Sequence, residues 1–270
     1  MERSYNYLLF ENKMLEDSRG QVAIIIPALN EEEALQCLLR EIPQGVARWT
    51  IVIDNGSTDR TAEVARAAGA IVVSEPQRGY GSACYKGLTT ADELGADILV
   101  FMDGDGSDNP ADLSVMIEQV RRGTADLVIG SRVSKLAEQG AVPPQARLGN
   151  WLVSNMIHLL YGVPVHDLGS YRAIRRSALM DLHMQEMTFG WPVEMLVKAG
   201  RARYRVLELP IHYRRRSHGQ SKVSGTVMGS VKAAYYMLSI TLRYAGAQGR
   251  YGYAEAQGRQ GYAGAQRQHV

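Results

Sequence analysis

At residues 98–105 the chain reads Ile-Leu-Val-Phe-Met-Asp-Gly-Asp, an apolar run that ends in two carboxylates, Asp103 and Asp105. Five consecutive apolar residues predict a parallel strand buried on both faces, and open α/β sheets bind ligands outside the carboxyl ends of such strands. Carboxylate oxygens at that position suit Mg²⁺ or Mn²⁺, which bridge one or two Asp to phosphate groups. The alternative is a solvated polar turn, because residues 103–110 consist almost entirely of turn-forming types.

On both sides of this stretch, strands alternate with helices. Further strands are predicted at 22–26, 50–53, 70–73, 127–129 and 203–209. Helices are predicted at about 61–68, 81–94, 111–121 and, after a Pro143-Pro144 break, 148–161. Asn30 is placed at the N-cap of another helix, which has glutamates in its first turn. The alternation predicts an α/β fold with a mostly parallel central sheet flanked by helices.

The composition is that of a globular protein. The chain has 270 residues, is 46% hydrophobic and carries a formal net charge of +2, which excludes disorder throughout. Basic residues dominate from 201 to 232 and favour an anionic partner there. Cys37 and Cys84 lack metal-binding spacing, so we expect reduced thiols in a cytosolic protein. The sequence shows neither a signal peptide nor a membrane-spanning run, and we expect a cytoplasmic protein, soluble or peripherally associated with the cytoplasmic face of a membrane.

The chain is predicted to divide into three parts. Residues 1–20 form an N-terminal extension, and residues 21–243 form the α/β domain, which ends in a helix at 226–243. One face of that helix, which would pack on the domain or lie on a membrane surface, holds Val227, Val231, Ala234, Leu238 and Thr241. Residues 244–270 are three nine-residue units, a low-complexity tail predicted to be disordered because it cannot bury enough apolar area to offset its ordering entropy.

Three predicted strands end in polar residues. Leu29-Asn30-Glu31 follows the first strand, Asp54 the second, and Asp103 and Asp105 the fourth. One carboxylate can accept a hydrogen bond from the imide of a nucleobase or from a ribose hydroxyl. A pair of carboxylates can hold a divalent ion against a diphosphate, and a nucleotide-sugar site requires both roles. Neither Gly-x-Gly-x-x-Gly nor Gly-x-x-x-x-Gly-Lys-Ser/Thr follows the first strand, which argues against a dinucleotide dehydrogenase or a P-loop enzyme.

Six motifs, in this order, resemble those of family 2 glycosyltransferases. They are Ile-Ile-Ile-Pro-Ala-Leu-Asn-Glu-Glu at 24–32, Val-Ile-Asp-Asn-Gly-Ser-Thr-Asp at 52–59, Asp-Gly-Asp at 103–105, Gly-Ser-Arg at 130–132, Asp-Leu-Gly-Ser-Tyr-Arg at 167–172 and Arg-Arg-Ser-His-Gly-Gln-Ser-Lys-Val-Ser-Gly-Thr at 215–226. The last two are similar to the branch typified by dolichyl-phosphate mannose and glucose synthases. The resemblance covers about residues 22–243.

The resemblance implies a GT-A fold and an inverting transfer of a sugar from a nucleotide-diphospho-sugar to a polyprenyl phosphate, with Mg²⁺ or Mn²⁺ as cofactor. In the matching motif, the resemblance implies that Asp105 is the principal metal ligand and that Asp103 contacts the ribose or the metal beside it. The stretch expected to flank the nucleoside comprises Pro27, Leu29, Glu31 and Asp54. Asn55 replaces the second acid of the family's Asp-Asp-Gly-Ser pattern, and its amide donates as well as accepts hydrogen bonds.

The basic residues of the motifs are expected to bind phosphate. Arg132, Arg216 and Lys222 would stabilise the charge that develops on the departing nucleoside diphosphate. Arg147 or Arg172 would hold the acceptor phosphate, because a planar guanidinium can donate two parallel hydrogen bonds to phosphate oxygens. Without the resemblance, the arginine run at 214–216 would indicate only a solvated surface loop.

The acceptor decides the role of Asp167. A lipid phosphate is already anionic, so Asp167 would only orient other groups, whereas a hydroxyl acceptor, as in polysaccharide synthesis, would need it as a base. Glu194 aligns with a family acid and equally fits a helix-start acid. A nucleotidyltransferase and a non-catalytic sugar-nucleotide-binding scaffold are further alternatives. We expect no nucleic-acid partner, and expect membrane contact through the basic loop and last helix or through an integral-membrane partner.

Overall fold

The computed structural model describes residues 20–216 and 227–245. Three sequence predictions fall outside these residues: the extension at 1–19, the tail at 246–270, and Lys222 within the segment 217–226. They stay predictions.

The described part of the chain forms one seven-stranded sheet. Its strands are β1 (Val22–Ala28), β2 (Trp49–Asp54), β3 (Ile71–Ser74), β4 (Ile98–Phe101), β5 (Leu127–Ser131), β6 (Arg172–Arg175) and β7 (Val206–Pro210). Their order across the sheet is β3-β2-β1-β4-β6-β5-β7. All pairings are parallel except those of β6, which runs antiparallel to β4 and β5. The predicted mostly parallel sheet is therefore confirmed.

Helices cover both faces of the sheet. They are α1 (Glu32–Glu41), α2 (Thr61–Ala67), α3 (Tyr80–Glu93), α4 (Leu113–Arg121, after a 3₁₀ turn at Pro110–Asp112), α5 (Pro144–Tyr161), α6 (Arg176–Asp181), α7 (Trp191–Arg201) and α8 (Val227–Ala245). Alternate residues of β1 enter two separate cores, Ala23 and Ile25 on one side, Ile24 and Ile26 on the other. Helices α1, α2 and α4 cover the second core, and α3 and α5 to α8 cover the first.

Strand register places the predicted site residues at one edge of the sheet. Ala28 at the end of β1 pairs with Asp54 at the end of β2, and Ile25 pairs with Phe101 at the end of β4. The turns that follow these three strands therefore lie side by side. Since a parallel pairing fixes this arrangement, the sheet alone brings together residues more than 70 positions apart in the chain.

Two predicted details of the helices are wrong. Asn30 does not cap α1: the N-cap residue is Glu31, and Asn30 has a left-handed φ of 53° and accepts a hydrogen bond from the Thr58 amide at 2.7 Å. The two prolines do not delay α5, which begins at Pro144. The N–H groups of the first helical turn make no hydrogen bond within the helix, so a proline, which has no N–H, is tolerated there.

The residues predicted to share one face of the last helix differ in burial. Val231 is exposed, Ala234 and Leu238 are half-buried, and Thr241 is buried, as are Ser230, Ala233 and Ile240, which the prediction did not include. No helix among the described residues is long and apolar enough to cross a lipid bilayer.

Candidate active site

The carboxyl ends of β1, β2 and β4 open into a cleft of about 310 Å³, which we call the strand-end cleft. The residues that line it from these three ends include Pro27 within β1, Leu29 and Glu31 after β1, Asn55 after β2, and Asp103 and Asp105 after β4. Tyr80 at the start of α3 and Phe189 before α7 complete its walls. The structure thus brings together all the predicted nucleoside-flanking residues except Asp54, which lies beside the cleft.

Asp103 has one oxygen that the protein does not satisfy. Its Oδ2 accepts a hydrogen bond from the Ser170 hydroxyl at 2.7 Å, but its Oδ1 is buried and has no hydrogen-bond partner among the described residues. Burial, and then the neighbouring Asp105 carboxylate, raise the pKa of Asp103 to about 6. A buried carboxylate oxygen without a partner is unfavourable, so this atom marks a place for a bound cation or a hydrogen-bond donor.

Asp105 is held on both of its oxygens. Its Oδ1 accepts hydrogen bonds from the Ser107 amide at 2.9 Å and the Ser107 hydroxyl at 2.6 Å. Its Oδ2 forms an ion pair with Arg216 Nη2 at 2.8 Å. The strand-end cleft is therefore bordered by an acid and by an arginine from a segment more than 100 residues later in the chain.

A third carboxylate, Asp108, lies behind the pair and was not singled out from the sequence. Its Oδ2 accepts a hydrogen bond from the Asp103 amide at 3.1 Å, and its backbone forms a β-bridge with Tyr213. Burial, and then the charges of Asp103 and Asp105, raise the pKa of Asp108. The signal in the sequence is the presence of three acids within the six residues 103–108, which form one turn.

The chemistry of these acids fits a magnesium or manganese ion. Among the described residues, no set of three or more acidic, histidine or cysteine side chains is arranged to enclose a metal. Mg²⁺ is commonly held by one or two carboxylates and completes its coordination with substrate phosphates and water. Asp103, with its unsatisfied Oδ1, and Asp105 supply such a pair, and the cleft in front of them has room for phosphates.

Asp167 is wholly buried and bound to Arg132. It accepts hydrogen bonds from five donors: the Arg132 amide, Nε and Nη2 at 2.7 to 2.8 Å, the Asn150 side chain at 2.6 Å and the Leu168 amide at 2.8 Å. Burial alone would raise the pKa of Asp167 and lower that of Arg132. The ion pair outweighs burial, so the pKa of Asp167 is lowered and that of Arg132 is raised.

Arg132 lines a second cavity of about 450 Å³, which we call the helix-side cavity. Its walls come from α5, from α8 and from the segment 213–216. It meets the strand-end cleft at four shared residues, Tyr80, Asp103, Phe189 and Arg216. The two cavities therefore open onto the same carboxylate, Asp103.

The two arginines predicted for an acceptor phosphate lie outside both cavities. Arg172 is 1% exposed, and its guanidinium donates to the carbonyl oxygens of Gly169 at 2.8 Å and Pro192 at 2.6 Å, while its buried Nη2 has no hydrogen-bond partner among the described residues. The structure therefore does not place Arg172 on the wall of either cavity. Burial lowers the pKa of Arg172 to about 10, which still leaves the side chain charged at neutral pH. Arg147 is exposed on α5 and does not face the cavity. Arg214, Arg215 and Arg216 line it instead.

Asn55 connects the walls of the strand-end cleft. Its side-chain nitrogen donates to the carbonyl oxygens of Glu75 at 2.9 Å and Gln77 at 2.8 Å, and its oxygen accepts from the Gly79 amide at 2.8 Å. A carboxylate has no N–H to donate, so an aspartate could not make the first two bonds. This geometry explains the departure from the Asp-Asp-Gly-Ser pattern: the amide fixes the chain that leads into α3.

Replacing Asn55 with aspartate should therefore destabilise the protein by about 2 kcal/mol, because two carbonyl oxygens lose their donors. Equilibrium urea unfolding measures this change. The matched control is Asp54→Asn, since Asp54 Oδ1 only accepts a hydrogen bond from the Ser57 amide at 2.9 Å, which an amide oxygen also does. Equal losses of stability in the two variants would contradict this role of Asn55.

Glu194 lies in the first turn of α7, as a helix-start acid, and is wholly buried. It accepts hydrogen bonds from the amides of Gln185 and Glu186 and from the Tyr244 hydroxyl at 2.6 Å, and it pairs with Lys198 at 2.9 Å. It lines neither cavity. The contacts favour a structural role, with Glu194 joining α7, α8 and the segment before α7.

Replacing Glu194 with glutamine should lower stability by about 1 to 3 kcal/mol, because the amide cannot accept at all four positions. The kcat of the folded protein should change by less than about threefold. Urea unfolding and initial rates on the same preparation test both statements. Glu118→Gln, which alters an exposed pair with Arg122, provides the surface control. A large fall in kcat at unchanged stability would instead assign Glu194 a part in the chemistry.

A mostly parallel sheet with paired carboxylates beyond a central strand, and two adjoining cavities at that edge, is the arrangement found in the GT-A fold. The structure aligns with glucosyl-3-phosphoglycerate synthase of Mycobacterium tuberculosis, crystallised with Mg²⁺ and UDP, at a TM-score of 0.69 and 20% identity, over 87% of this chain and 83% of that one. The described fold is therefore of the GT-A type.

The chain belongs to glycosyl transferase family 2, whose family model matches residues 23–182. It is 41% identical over 212 residues to an uncharacterized glycosyltransferase of Mycobacterium tuberculosis, covering 78% of this chain and 94% of that protein. It is 30% identical over 243 residues to the undecaprenyl-phosphate mannosyltransferase of Micrococcus luteus, covering 86% and 99%. The protein is accordingly a glycosyltransferase enzyme.

Proposed function

We propose that this glycosyltransferase moves a sugar from a nucleotide-diphospho-sugar to a polyprenyl phosphate, with inversion at the sugar carbon and with the help of Mg²⁺ or Mn²⁺. The observation that carries the proposal is the meeting of the two cavities at Asp103 and Arg216. A donor in the strand-end cleft and an acceptor in the helix-side cavity would approach the same point from different sides. Direct attack on the sugar from the side opposite the diphosphate inverts its configuration.

The phosphate class of acceptor is supported by the state of Asp167. A hydroxyl acceptor needs a base, and a base needs a lone pair within reach of the proton. Asp167 uses its oxygens on five donors and has a lowered pKa, which makes it a poor base. An ionised phosphate needs only to be positioned, and Arg214, Arg215 and Arg216 are among the residues that line the cavity proposed for it.

Groups already in place at the site would stabilise the negative charge on the leaving nucleoside diphosphate. Asp103 and Asp105 would hold the divalent cation, which supplies Lewis-acid stabilisation of the diphosphate. Arg216, paired to Asp105 at 2.8 Å, would add a second positive charge at the junction of the cavities. Arg132 and Lys222 are assigned the same role, Lys222 from its motif alone.

The proposed polyprenyl-phosphate class of acceptor is supported by the relative from Micrococcus luteus, whose name gives undecaprenyl phosphate as the acceptor and mannose as the sugar. The alignment with this chain covers 99% of that relative. For this chain we propose the class of acceptor and leave the sugar and the base of the donor to experiment.

The test is transfer by the purified full-length protein. Labelled GDP-mannose, UDP-glucose and UDP-N-acetylglucosamine are each incubated with undecaprenyl phosphate in detergent and Mg²⁺ or Mn²⁺. We expect one donor to give a labelled, mild-acid-labile lipid and an equal amount of nucleoside diphosphate. Release of pyrophosphate would identify a nucleotidyltransferase. Transfer to a glycan or small-molecule hydroxyl, with none to the lipid phosphate, would overturn the proposed acceptor.

A further inference from the structure

Helices α5 and α8 expose most of the large apolar side chains on the described surface. Fourteen large hydrophobic residues are exposed in the described chain, and nine of them lie on these two helices. The most exposed are Leu159 at 82% and Tyr235 at 75%. Single exposed apolar side chains are ordinary, but a contiguous group marks an interaction surface.

On each helix the exposed residues share one side. With 3.6 residues per turn, positions three, four, seven or eleven apart lie on the same face. The shared positions, which together define the α5–α8 face, are Leu148, Trp151, Leu152 and Leu159 on α5 and Met228, Val231, Tyr235 and Leu242 on α8. Since α5 and α8 pack against each other, the two apolar stripes lie on neighbouring helices.

Contacts at two levels fix this pairing of the helices. Near their N-terminal halves, Gly149 comes so close to Ala234 that a Cβ added to the glycine would lie 3.4 Å from the alanine Cβ. Farther along, the Tyr161 hydroxyl donates to the Thr241 carbonyl oxygen at 2.5 Å. Both helices also cover the same hydrophobic core. The face is therefore a fixed part of the fold.

The charge of the two helices has one sign. Neither α5 nor α8 contains Asp or Glu, and their charged residues are Arg147, Lys232 and Arg243, all exposed. On α8, helical spacing places Lys232 and Arg243 along one border of the apolar stripe. Long basic side chains in this position can keep their charged groups in water, next to anionic groups, while the neighbouring apolar side chains enter a nonpolar phase.

The face also adjoins the helix-side cavity. The same two helices line that cavity through Gln145, Ala146 and Gly149 on α5 and through Ala233, Ala234 and Met237 on α8. On α5, Leu148 is next in sequence to Gly149, and Trp151 is next to Asn150, which also lines the cavity. An apolar chain attached to a phosphate in the cavity would therefore emerge beside the α5–α8 face.

We propose that the α5–α8 face docks on an anionic lipid bilayer. The inference deepens the proposed function, on which it rests for the identity of the acceptor: docking would place the helix-side cavity over the membrane that holds the lipid phosphate. Charge complementarity selects this occupant over a second copy of the chain. Two such faces packed together would bring six basic side chains of these helices into one interface without an acidic residue from either helix.

The experiment measures co-sedimentation of the full-length protein with vesicles that contain no polyprenyl phosphate, so that docking is tested apart from catalysis. One set is phosphatidylcholine alone, and the other also contains phosphatidylglycerol. The test variant is Leu159→Glu combined with Tyr235→Glu, which puts two acids on the face. The matched control is Val115→Glu combined with Met180→Glu, at exposed apolar positions on α4 and α6. Thermal unfolding checks that both variants fold.

We expect the wild-type protein and the control variant to bind the anionic vesicles, binding to weaken with added salt, and the test variant to bind at least about tenfold more weakly. Equal binding by the test and control variants would overturn the proposal. So would a wild-type dimer in solution that Leu159→Glu and Tyr235→Glu convert to a monomer without any vesicle binding. Vesicle binding without transfer to undecaprenyl phosphate would refute the proposed acceptor and leave the docking surface standing.

Discussion

Replacing Asp105 with asparagine should reduce sugar transfer about 10³-fold while the protein still folds. The amide oxygen of asparagine can still accept the hydrogen bonds from Ser107, but the side chain loses the negative charge that faces Arg216 and the proposed cation site. The measurements are kcat/KM from nucleoside diphosphate release and Mn²⁺-dependent binding of UDP by calorimetry. Both should fall, whereas the thermal midpoint should stay close to that of the wild type.

The matched control for this variant is Asp181→Asn. Asp181 ends α6, at the opposite edge of the sheet, and its carboxylate accepts a hydrogen bond from the Tyr204 hydroxyl at 2.6 Å. Its loss should leave transfer unchanged. If Asp105→Asn retained full activity, or lost activity only through unfolding, Asp105 would have no part in holding the leaving group.

Replacing Arg132 with methionine should lower the free energy of unfolding by about 3 to 5 kcal/mol at neutral pH, because it leaves the Asp167 charge buried without its partner. Asp167 has no exposed side-chain surface, and Arg132 supplies three of its five hydrogen bonds. One of those three comes from the Arg132 backbone amide and survives the substitution. Urea unfolding measures the change.

A second variant separates charge from packing. Combining Arg132→Met with Asp167→Asn removes the buried charge but keeps an oxygen for the Asn150 and Leu168 donors. The double variant should recover about 2 kcal/mol relative to Arg132→Met alone. If it were no more stable than the single variant, the loss would come from packing of the arginine and not from an uncompensated carboxylate.

The dependence of this loss on pH has a definite sign. In the wild type, the pKa of Asp167 is lowered, so its ionised form contributes stability above its ordinary pKa, and this contribution disappears as pH falls. Without Arg132, burial would raise the pKa of Asp167 above its ordinary value, and stability would instead fall as pH rises. The difference between wild type and Arg132→Met should therefore shrink as the pH is lowered from 7 toward about 4.

The sequence predicts the parallel half of the sheet well, for a physical reason. Central parallel strands are buried on both faces, so they consist of short apolar runs that end in polar turns, as at 22–26 and 98–102. The observed strands β1 and β4 agree with these runs to within two residues. The same alternation predicts that the acids Asp103 and Asp105 lie at the ligand-binding edge of the sheet.

The antiparallel strand β6 was not predicted, because its sequence, Arg-Ala-Ile-Arg, has only two apolar residues between arginines. It is a strand because β4 and β5 both lack a neighbour on that side, and their pairing with it depends on contacts far apart in the chain. The burial of Arg172 could not be predicted for the same reason. As the first residue of β6 it points into the protein and is enclosed there, which no local pattern indicates.

In the site, charge and residue type were predictable but pairing was not. The sequence suggests that Asp105 and Arg216 act near phosphate, yet their ion pair depends on the return of the segment 211–216 to the β4 turn, where the backbone of Tyr213 bridges to Asp108 and the Arg214 amide donates to the Ser107 carbonyl oxygen. Likewise, the choice between base and orienting residue for Asp167 depended on five donors from three parts of the chain.

The position of α8 at the end of the described chain has a consequence during synthesis. The Tyr236 hydroxyl donates to Glu186 at 2.9 Å, and Tyr244 reaches Glu194, so α8 holds the segment whose Phe189 forms a wall of both cavities. The sheet can assemble once β7 has left the ribosome, but until α8 emerges the Phe189 segment has only its contacts with α3 and α7. A nascent or prematurely terminated chain can therefore carry a complete sheet with an unfinished substrate site, and the enzyme acquires its working cavities only when translation has passed residue 245.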